Sequence, residues 1–211
     1  MAETATQNLS VLPEDSPSDD KKPPSVPQIV FVNYENESQI NDVMRLVALD
    51  LSEPYSIFTY RYFLHRFPDL CIMAVDQTTG DVCGCVVGKI DLETVASPTI
   101  LPTEESLDGE QSPADQPLPT PVSPQQQQTG YIGMLAVSKL YRRQGIGKAL
   151  VKQVLQRMED RGCTSVTLET EVSNKTAQEL YQNFGFVREE LLVRYYLNNS
   201  DAYRLRLWFC R

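Results

Sequence analysis

The run Arg142-Arg143-Gln144-Gly145-Ile146-Gly147 follows a strand-like stretch, Gly130 to Val137, and opens a segment in which Ile146, Leu150, Val154 and Met158 recur at helical spacing. A strand, a glycine-bearing turn and an amphipathic helix in this order make one strand–loop–helix unit of an α/β fold. The loop reads as a phosphate cradle. Two glycines let backbone N–H groups approach an anion closely, the helix N-terminus adds a favourable dipole, and two arginines can pair with phosphate oxygens.

Outward from this unit the pattern stays mixed. Ile29 to Val32 reads as a short strand, Ile40, Val43, Met44 and Val47 fall at helical spacing, and Ser56 to Arg66 is a second helix stopped by Pro68. Cys71 to Val75 and Val82 to Ile90 are strands joined by Gln77-Thr78-Thr79-Gly80-Asp81, whose Gly-Asp suits a hairpin turn. Beyond the phosphate loop, Ser165 to Glu171 is a strand, and Ala177, Leu180, Tyr181 and Phe184 line a helix that Gly185 can end. Phe186 to Glu189 and Tyr203 to Phe209 complete the sheet. The expectation is an α/β fold with a mostly antiparallel sheet on its early side.

Two stretches of the 211-residue chain fall outside that pattern: 1–28 and 93–128 hold twelve of the fourteen prolines. The first carries five acidic and two basic residues, the second six acidic and none basic, so together they hold the whole formal charge of −9. Both are expected to be disordered: an acidic, Pro-rich tail over 1–28 and an acidic Pro/Gln-rich insert over 93–128 that interrupts one domain spanning 29–211. The remainder is neutral, so the acidic balance says little about the working surface; sequence-specific nucleic-acid binding is not expected.

No apolar run approaches the roughly 20 residues needed to span a bilayer, and the N-terminus lacks the basic and apolar regions of a secretory signal. An intracellular, cytoplasmic protein with no membrane contact is the expectation. Cys83 and Cys85 form C-x-C within a strand-like run, and His65 is the only histidine, so the five cysteines read as buried thiols and no metal site is expected.

The letters of the loop exclude two common phosphate binders. A Walker A loop would need glycine at 142 and Ser or Thr at 149, which hold Arg and Ala; a dinucleotide fingerprint would need glycine at 150, which holds Leu. What the loop does match is R-x-x-G-x-G between a strand and a helix. This resembles the acetyl-CoA signature of the GCN5-related N-acetyltransferase superfamily, and Asn174 with Tyr181 and Asn183-Phe184-Gly185-Phe186 resembles that superfamily's N-x-x-A-x-x-L-Y-x-x-x-G-F segment. Three further strings, Leu51-Ser52-Glu53-Pro54-Tyr55-Ser56-Ile57, Leu168-Glu169-Thr170-Glu171-Val172 and Arg194-Tyr195-Tyr196-Leu197-Asn198, resemble the NatC-type catalytic subunits among the N-terminal acetyltransferases. The likeness covers about 29–92 and 129–211 and fails over the tail and the insert.

The resemblance implies a central sheet of about seven strands flanked by about four helices, with two strands splayed at an acetyl-CoA site. It places the pantetheine arm and pyrophosphate on Leu135, Ala136 and Val137, on Arg142, Arg143, Gln144, Gly145, Ile146 and Gly147, and on Asn174 and Tyr181. Asn174 also suits a helix N-cap. Acetyl-CoA is the implied cosubstrate, nascent protein N-termini are the acceptors, and two auxiliary NatC-type subunits and the ribosome are the implied partners.

The chemistry constrains the catalytic groups. A free α-amine has a pKa near ~8, so much of it is protonated at neutral pH and a base must take that proton before attack on a thioester. On an extended strand Val166 and Leu168 face the core while Thr167, Glu169 and Glu171 share the other face. A solvated strand face is the plain alternative; the resemblance makes Glu169 the base, acting through water in related enzymes. Tyr181 is the implied acid that assists the departing thiolate, with core packing as its alternative role, and backbone N–H groups near Leu135 and Ala136 are oxyanion candidates. Glu53, Pro54, Tyr55, Tyr131, Glu171, Tyr195 and Tyr196 are expected at the acceptor peptide, whereas Phe58, Tyr60, Tyr62 and Phe63 are expected to be core. The implied acceptor begins with Met followed by Leu, Ile, Phe, Trp or Tyr. A lysine or small-amine acetyltransferase and a non-catalytic acyl-CoA-binding module remain alternatives.

Overall fold

A computed structural model of the chain describes residues 27–50, 55–95 and 125–210. Seven strands form a single open sheet: β1 (Ile29–Asn33), β2 (Cys71–Asp76), β3 (Val82–Val95), β4 (Gln125–Val137), β5 (Ser165–Glu171), β6 (Val187–Leu192) and β7 (Ala202–Trp208). Their spatial order is β1-β2-β3-β4-β5-β7-β6, and β4–β5 is the parallel pair among otherwise antiparallel neighbours. Four α-helices accompany them: α1 (Ile40–Asp50), α2 (Ile57–Arg66), α3 (Ile146–Asp160) and α4 (Lys175–Gln182). This is the architecture the resemblance implied, and every element expected from the periodicity is present.

The core lies on both sides of the sheet. On one side α3 buries Leu150, Val154 and Met158 against Ile72, Ala74, Val86, Val166 and Leu168; on the other α1 and α2 bury Val43, Val47, Tyr60 and Leu64 against Cys71, Met73, Cys85 and Val87. A strand covered on both faces needs apolar residues at every position, which is why β2 reads as the continuous run Cys-Ile-Met-Ala-Val. Ser56 caps α2 by accepting from Thr59 N–H, and Gly80, at φ +78°, turns the β2–β3 hairpin.

Two boundaries differ from expectation. Residues 93–95 and 125–128, counted above in the disordered insert, continue β3 and β4 and pair as Glu93↔Gln127, Thr94↔Gln126 and Val95↔Gln125. Low hydrophobicity disfavours nucleating such a pair, but here the ladder is already anchored from Leu92↔Gln128 inward and only has to extend. Gln28, counted in the tail, accepts from Gln77 N–H at 2.9 Å. The rest of both segments, 1–26 and 96–124, lies outside the described residues, as do Glu53 and Pro54. No helix among the described residues is long and apolar enough to cross a membrane.

Candidate active site

The site begins where two parallel strands part. β5 pairs with β4 only over Thr129↔Ser165, Gly130↔Val166 and Tyr131↔Thr167; beyond Tyr131 the two strands have no further register. A bulge coincides with the parting: β3 pairs Val87 with Met134 and Gly88 with Ile132, leaving Gly133 as the extra residue. Its effect is visible in the packing. Ile132 and Met134 would share a face in a regular strand, yet Ile132 is buried on the α3 side and Met134 on the α1–α2 side. Glycine fits here because a Cβ at 133 would come within 3.1 Å of the Phe63 ring.

The antiparallel ladder then decides which backbone groups face the opening. Ser138 N–H donates to Cys83 C=O at 2.8 Å, so the alternation along β4 turns Ala136 toward Cys85 and leaves the polar groups of Leu135 and Val137 directed away from β3. Leu135 N–H is therefore the oxyanion candidate, and Ala136 N–H, expected to share that role, points the wrong way for it. The Val137 carbonyl accepts from Arg142 Nε at 3.1 Å. Arg142 thus braces the loop against β4 with one edge of its guanidinium.

Between the splayed strands lies a cavity of about 330 Å³. Its walls combine Ile132 to Leu135 of β4, Glu169, Thr170 and Glu171 of β5, Asn174 just before α4, Ala177 and Tyr181 of α4, and Tyr55, Tyr131, Tyr195 and Tyr196. The Glu169 side chain is 7% exposed. Tyr131 Oη donates to its Oε2 at 2.8 Å and Arg204 Nε to its Oε1 at 3.0 Å, so each carboxylate oxygen is held and still has a lone pair for water. Tyr131, expected beside the peptide, lines the cavity and is also a direct partner of the candidate base. Burial and the neighbouring Glu169 carboxylate both push its hydroxyl pKa up, which keeps it a donor.

Tyr181 is buried, at 5% exposure, and its ring meets Phe186 edge-on at 5.4 Å. Burial pushes its pKa above the ordinary 10.0, so it holds its proton at physiological pH. Asn174 caps α4 by accepting from Ala177 N–H at 3.0 Å, and it also lines the cavity. Both roles offered for Asn174 are compatible with this placement. Glu171 lines the same wall; Ser173 Oγ donates to its Oε2 at 2.9 Å and Asn198 Nδ2 to its Oε1 at 3.4 Å.

Aromatic rings cover the mouth. The β6–β7 connection is tied by Asn199 N–H to Tyr196 C=O, Tyr196 N–H to Ser200 C=O and Arg194 N–H to Asp201, and these turns hold Tyr195 and Tyr196 edge-to-face at 5.1 Å. Tyr55 packs edge-on against buried Tyr60 at 6.2 Å. Of the four α2 aromatics expected in the core, Tyr60 and Phe63 are buried, but Phe58 and Tyr62 are 75% and 47% exposed. Positions 58 and 62 are one helical turn apart, on the face opposite the one that α2 sets against the sheet.

The loop 142–147 lies outside the cavity wall, at the start of α3. Arg143 at φ +66° and Gly145 at φ +80° are both left-handed, an alternation that turns backbone N–H groups inward. Gly145 is the N-cap of α3 without a side-chain cap, and no acidic residue stands in the first turn. A Cβ at Gly147 would meet only ordinary contacts, Val137 at 3.7 Å and Leu180 at 3.9 Å, so packing within the chain does not demand glycine there. The bare backbone at Gly147 leaves room for a ligand to come close. An uncapped, acid-free helix start beside an unpaired strand edge fits a pyrophosphate with an extended arm, which is the shape of coenzyme A.

Two contacts at the candidate site were not anticipated. Arg204 reaches Glu169 from β7, a pairing that only the β5–β7 register Glu169↔Arg204 creates. Tyr141, just ahead of the loop, donates to Asp76 at the end of β2 at 3.1 Å, tying the glycine loop to the hairpin turn. Neither residue belongs to a motif, and each pair is distant in sequence. Among the described residues no group of His, Cys, Asp and Glu is arranged to hold a metal, and Cys71, Cys83, Cys85 and Cys163 are buried.

The acetyltransferase (GNAT) family pattern matches residues 40–186. N-alpha-acetyltransferase 30 of Xenopus laevis is 44% identical over 181 residues, covering 85% of this chain and 54% of that protein. N-alpha-acetyltransferase 30 of Saccharomyces cerevisiae is 37% identical over 185 residues, covering 85% and 88%. The chain thus spans about half the length of the amphibian relative and most of the yeast one. A crystal structure of the NatC complex bound to Gag peptide and CoA contains a chain 36% identical to this one, with a TM-score of 0.68 over 87% of this chain and 99% of that one. The matched span takes in the splayed strands, the glycine loop and both Glu169 and Tyr181, and on this footing the chain belongs to the acetyltransferase (GNAT) family.

Proposed function

We propose that this chain transfers the acetyl group of acetyl-CoA to the N-terminal α-amine of proteins, and that its preferred acceptors begin with Met followed by Leu, Ile, Phe, Trp or Tyr. One observation carries the reading: a single cavity at the parting of β4 and β5 holds a nearly buried carboxylate, a buried tyrosine hydroxyl and four further tyrosines in its walls. The names of the relatives, N-alpha-acetyltransferase 30, and the NatC complex with its bound peptide favour the same acceptor.

In this reading Leu135 and Val137, the loop Arg142 to Gly147 and Asn174 hold acetyl-CoA, which supplies an activated thioester carbonyl. Glu169 takes the proton of the α-ammonium, through a water on its free lone pairs, and releases a neutral amine for direct attack in a ternary complex. Leu135 N–H meets the developing oxyanion, and Tyr181 donates to the departing thiolate. Tyr55, Tyr195, Tyr196 and Glu171, together with Glu53 and Pro54 outside the described residues, bind the acceptor peptide. Auxiliary subunits of the NatC type and the ribosome are the proposed partners, with the cytoplasm as the proposed place of work.

The test is a peptide-library acetylation assay, run with this chain alone and with candidate auxiliary subunits. Transfer to Met-Leu peptides that disappears when the α-amine is blocked is the expected result. Transfer that survives blocking and depends on an internal lysine supports the side-chain alternative; no transfer under either condition leaves only an acyl-CoA-binding module.

A further inference from the structure

We propose that Arg204 is a positioning residue for the base: by bridging Glu169 on β5 and Glu190 on β6 it fixes the Glu169 carboxylate toward the cavity. The inference rests on the reading of Glu169 as the base.

Three observations support it. Arg204 donates from Nε to Glu169 Oε1 at 3.0 Å and from Nη1 to Glu190 Oε2 at 3.0 Å, so one planar guanidinium is held at two edges by carboxylates on the strands either side of its own. Such a fork fixes direction as well as distance, which a lysine ammonium cannot do for two partners at once. The pair is also asymmetric in burial: the Glu169 side chain is 7% exposed and that of Arg204 35%, so Glu169 depends on its partners for satisfaction while Arg204 can fall back on water. Lastly, the only other hydrogen bond to Glu169 among the described residues comes from Tyr131 Oη to Oε2. A carboxylate held by one oxygen can swing about that bond; held by both, it cannot.

The next arginine on the same face of β7 supplies a natural control. Arg206 makes comparable contacts, to Glu189 at 2.8 Å and to Ser165 at 3.0 Å, with none of its hydrogen bonds or ion pairs going to Glu169. If these arginines served only to neutralise the strand face, replacing either would have the same consequence.

The experiment measures kcat and both KM values for Met-Leu peptide acetylation by the full chain, with its auxiliary subunits where needed, in Arg204→Met, Arg204→Lys, Arg206→Met, Glu169→Gln and the double variant Glu169→Gln/Arg204→Met. Arg204→Met should lower kcat by about tenfold or more with both KM values within about twofold, while Arg206→Met leaves kcat within about twofold. Arg204→Lys should recover part of the loss, because a point charge reaches Glu169 without spanning both carboxylates. The double variant should be no slower than Glu169→Gln alone, as expected when one residue acts only through the other. Wild-type kcat in Arg204→Met, or losses that multiply in the double variant, overturns the inference while leaving Glu169 as the base. An unchanged kcat in Glu169→Gln overturns the base and the inference together. Independently of activity, the Arg204 Nε–H resonance of the folded chain should shift and lose exchange protection in Glu169→Gln; an unmoved resonance also overturns it.

Discussion

Tyr181, the proposed acid, shows how burial can suit a residue to one chemical task. Its hydroxyl carries an ordinary pKa of 10.0 in water, and burial raises it, because the phenolate would have to be formed out of solvent. The sign follows directly. An acid that must hold its proton is active below its pKa, so a raised value moves the alkaline loss of activity upward, beyond pH 10. A kcat–pH profile for Met-Leu peptide acetylation should therefore show no tyrosine-derived decline up to pH 10. Tyr181→Phe should lower kcat by about tenfold to a hundredfold, with acetyl-CoA binding retained, since only the donor is removed. At this scale the letters told part of the story. Alternation along Val166 to Glu171 set Leu168 apart from Glu169, and in the structure Leu168 packs in the core cluster while Glu169 lines the cavity. Arg204 was unreadable because its partner is set by strand register across 35 residues. Phe58 and Tyr62 went to the surface because their apolar identity says nothing of which side of α2 meets the sheet.

Among elements, the strand–loop–helix unit was the most readable part of the chain, since a glycine turn between a strand and an amphipathic helix is a local pattern. The bulge at Gly133 was not, because an extra residue shows only against the partner strand. Nor could local sequence foresee that β2 would brace the glycine loop through Asp76 and Tyr141. The Asp76 carboxyl is held below its ordinary 3.8, first by the Thr78 backbone N–H, with help from the Tyr141 hydroxyl. A depressed carboxylate contributes above its ordinary value and loses that contribution as pH falls through the folded one, so the tether is intact at neutral pH. Tyr141→Phe keeps the ring and deletes only the hydroxyl. A hydrogen bond of this kind is worth about 1 kcal/mol net, so acetyl-CoA should bind more weakly, by at most about fivefold by calorimetry, with kcat at saturation nearly unchanged. Unchanged affinity would mean that the loop keeps its shape without this brace.

For the whole molecule, the order of strands sets what an insertion can disturb. β3 and β4 are adjacent and antiparallel, and their register runs from Gly84↔Val137 at the cavity end to Val95↔Gln125 at the far end. Composition marked an insert here but misplaced its edges, because it scores residues singly and takes no account of a ladder that is already anchored. Residues 96–124 therefore join two strand ends that are already paired, and the cavity lies toward the other end of the same ribbon, from Tyr131 onward. Replacing 96–124 by Asn-Gly would close a two-residue hairpin whose turn type matches the twist of the strands. Loop-closure entropy varies only slowly with length, so the shortened chain should be stabilised by only about 2 kcal/mol, a rise of several degrees in Tm. Activity on Met-Leu peptides should stay within about twofold of the full chain, since no residue of the cavity, the phosphate loop or the Arg204 bridge is removed. A large fall in kcat with an unchanged Tm would instead assign residues 96–124 a direct part in catalysis or in holding an auxiliary subunit, and repeating the assay with and without those subunits separates the two.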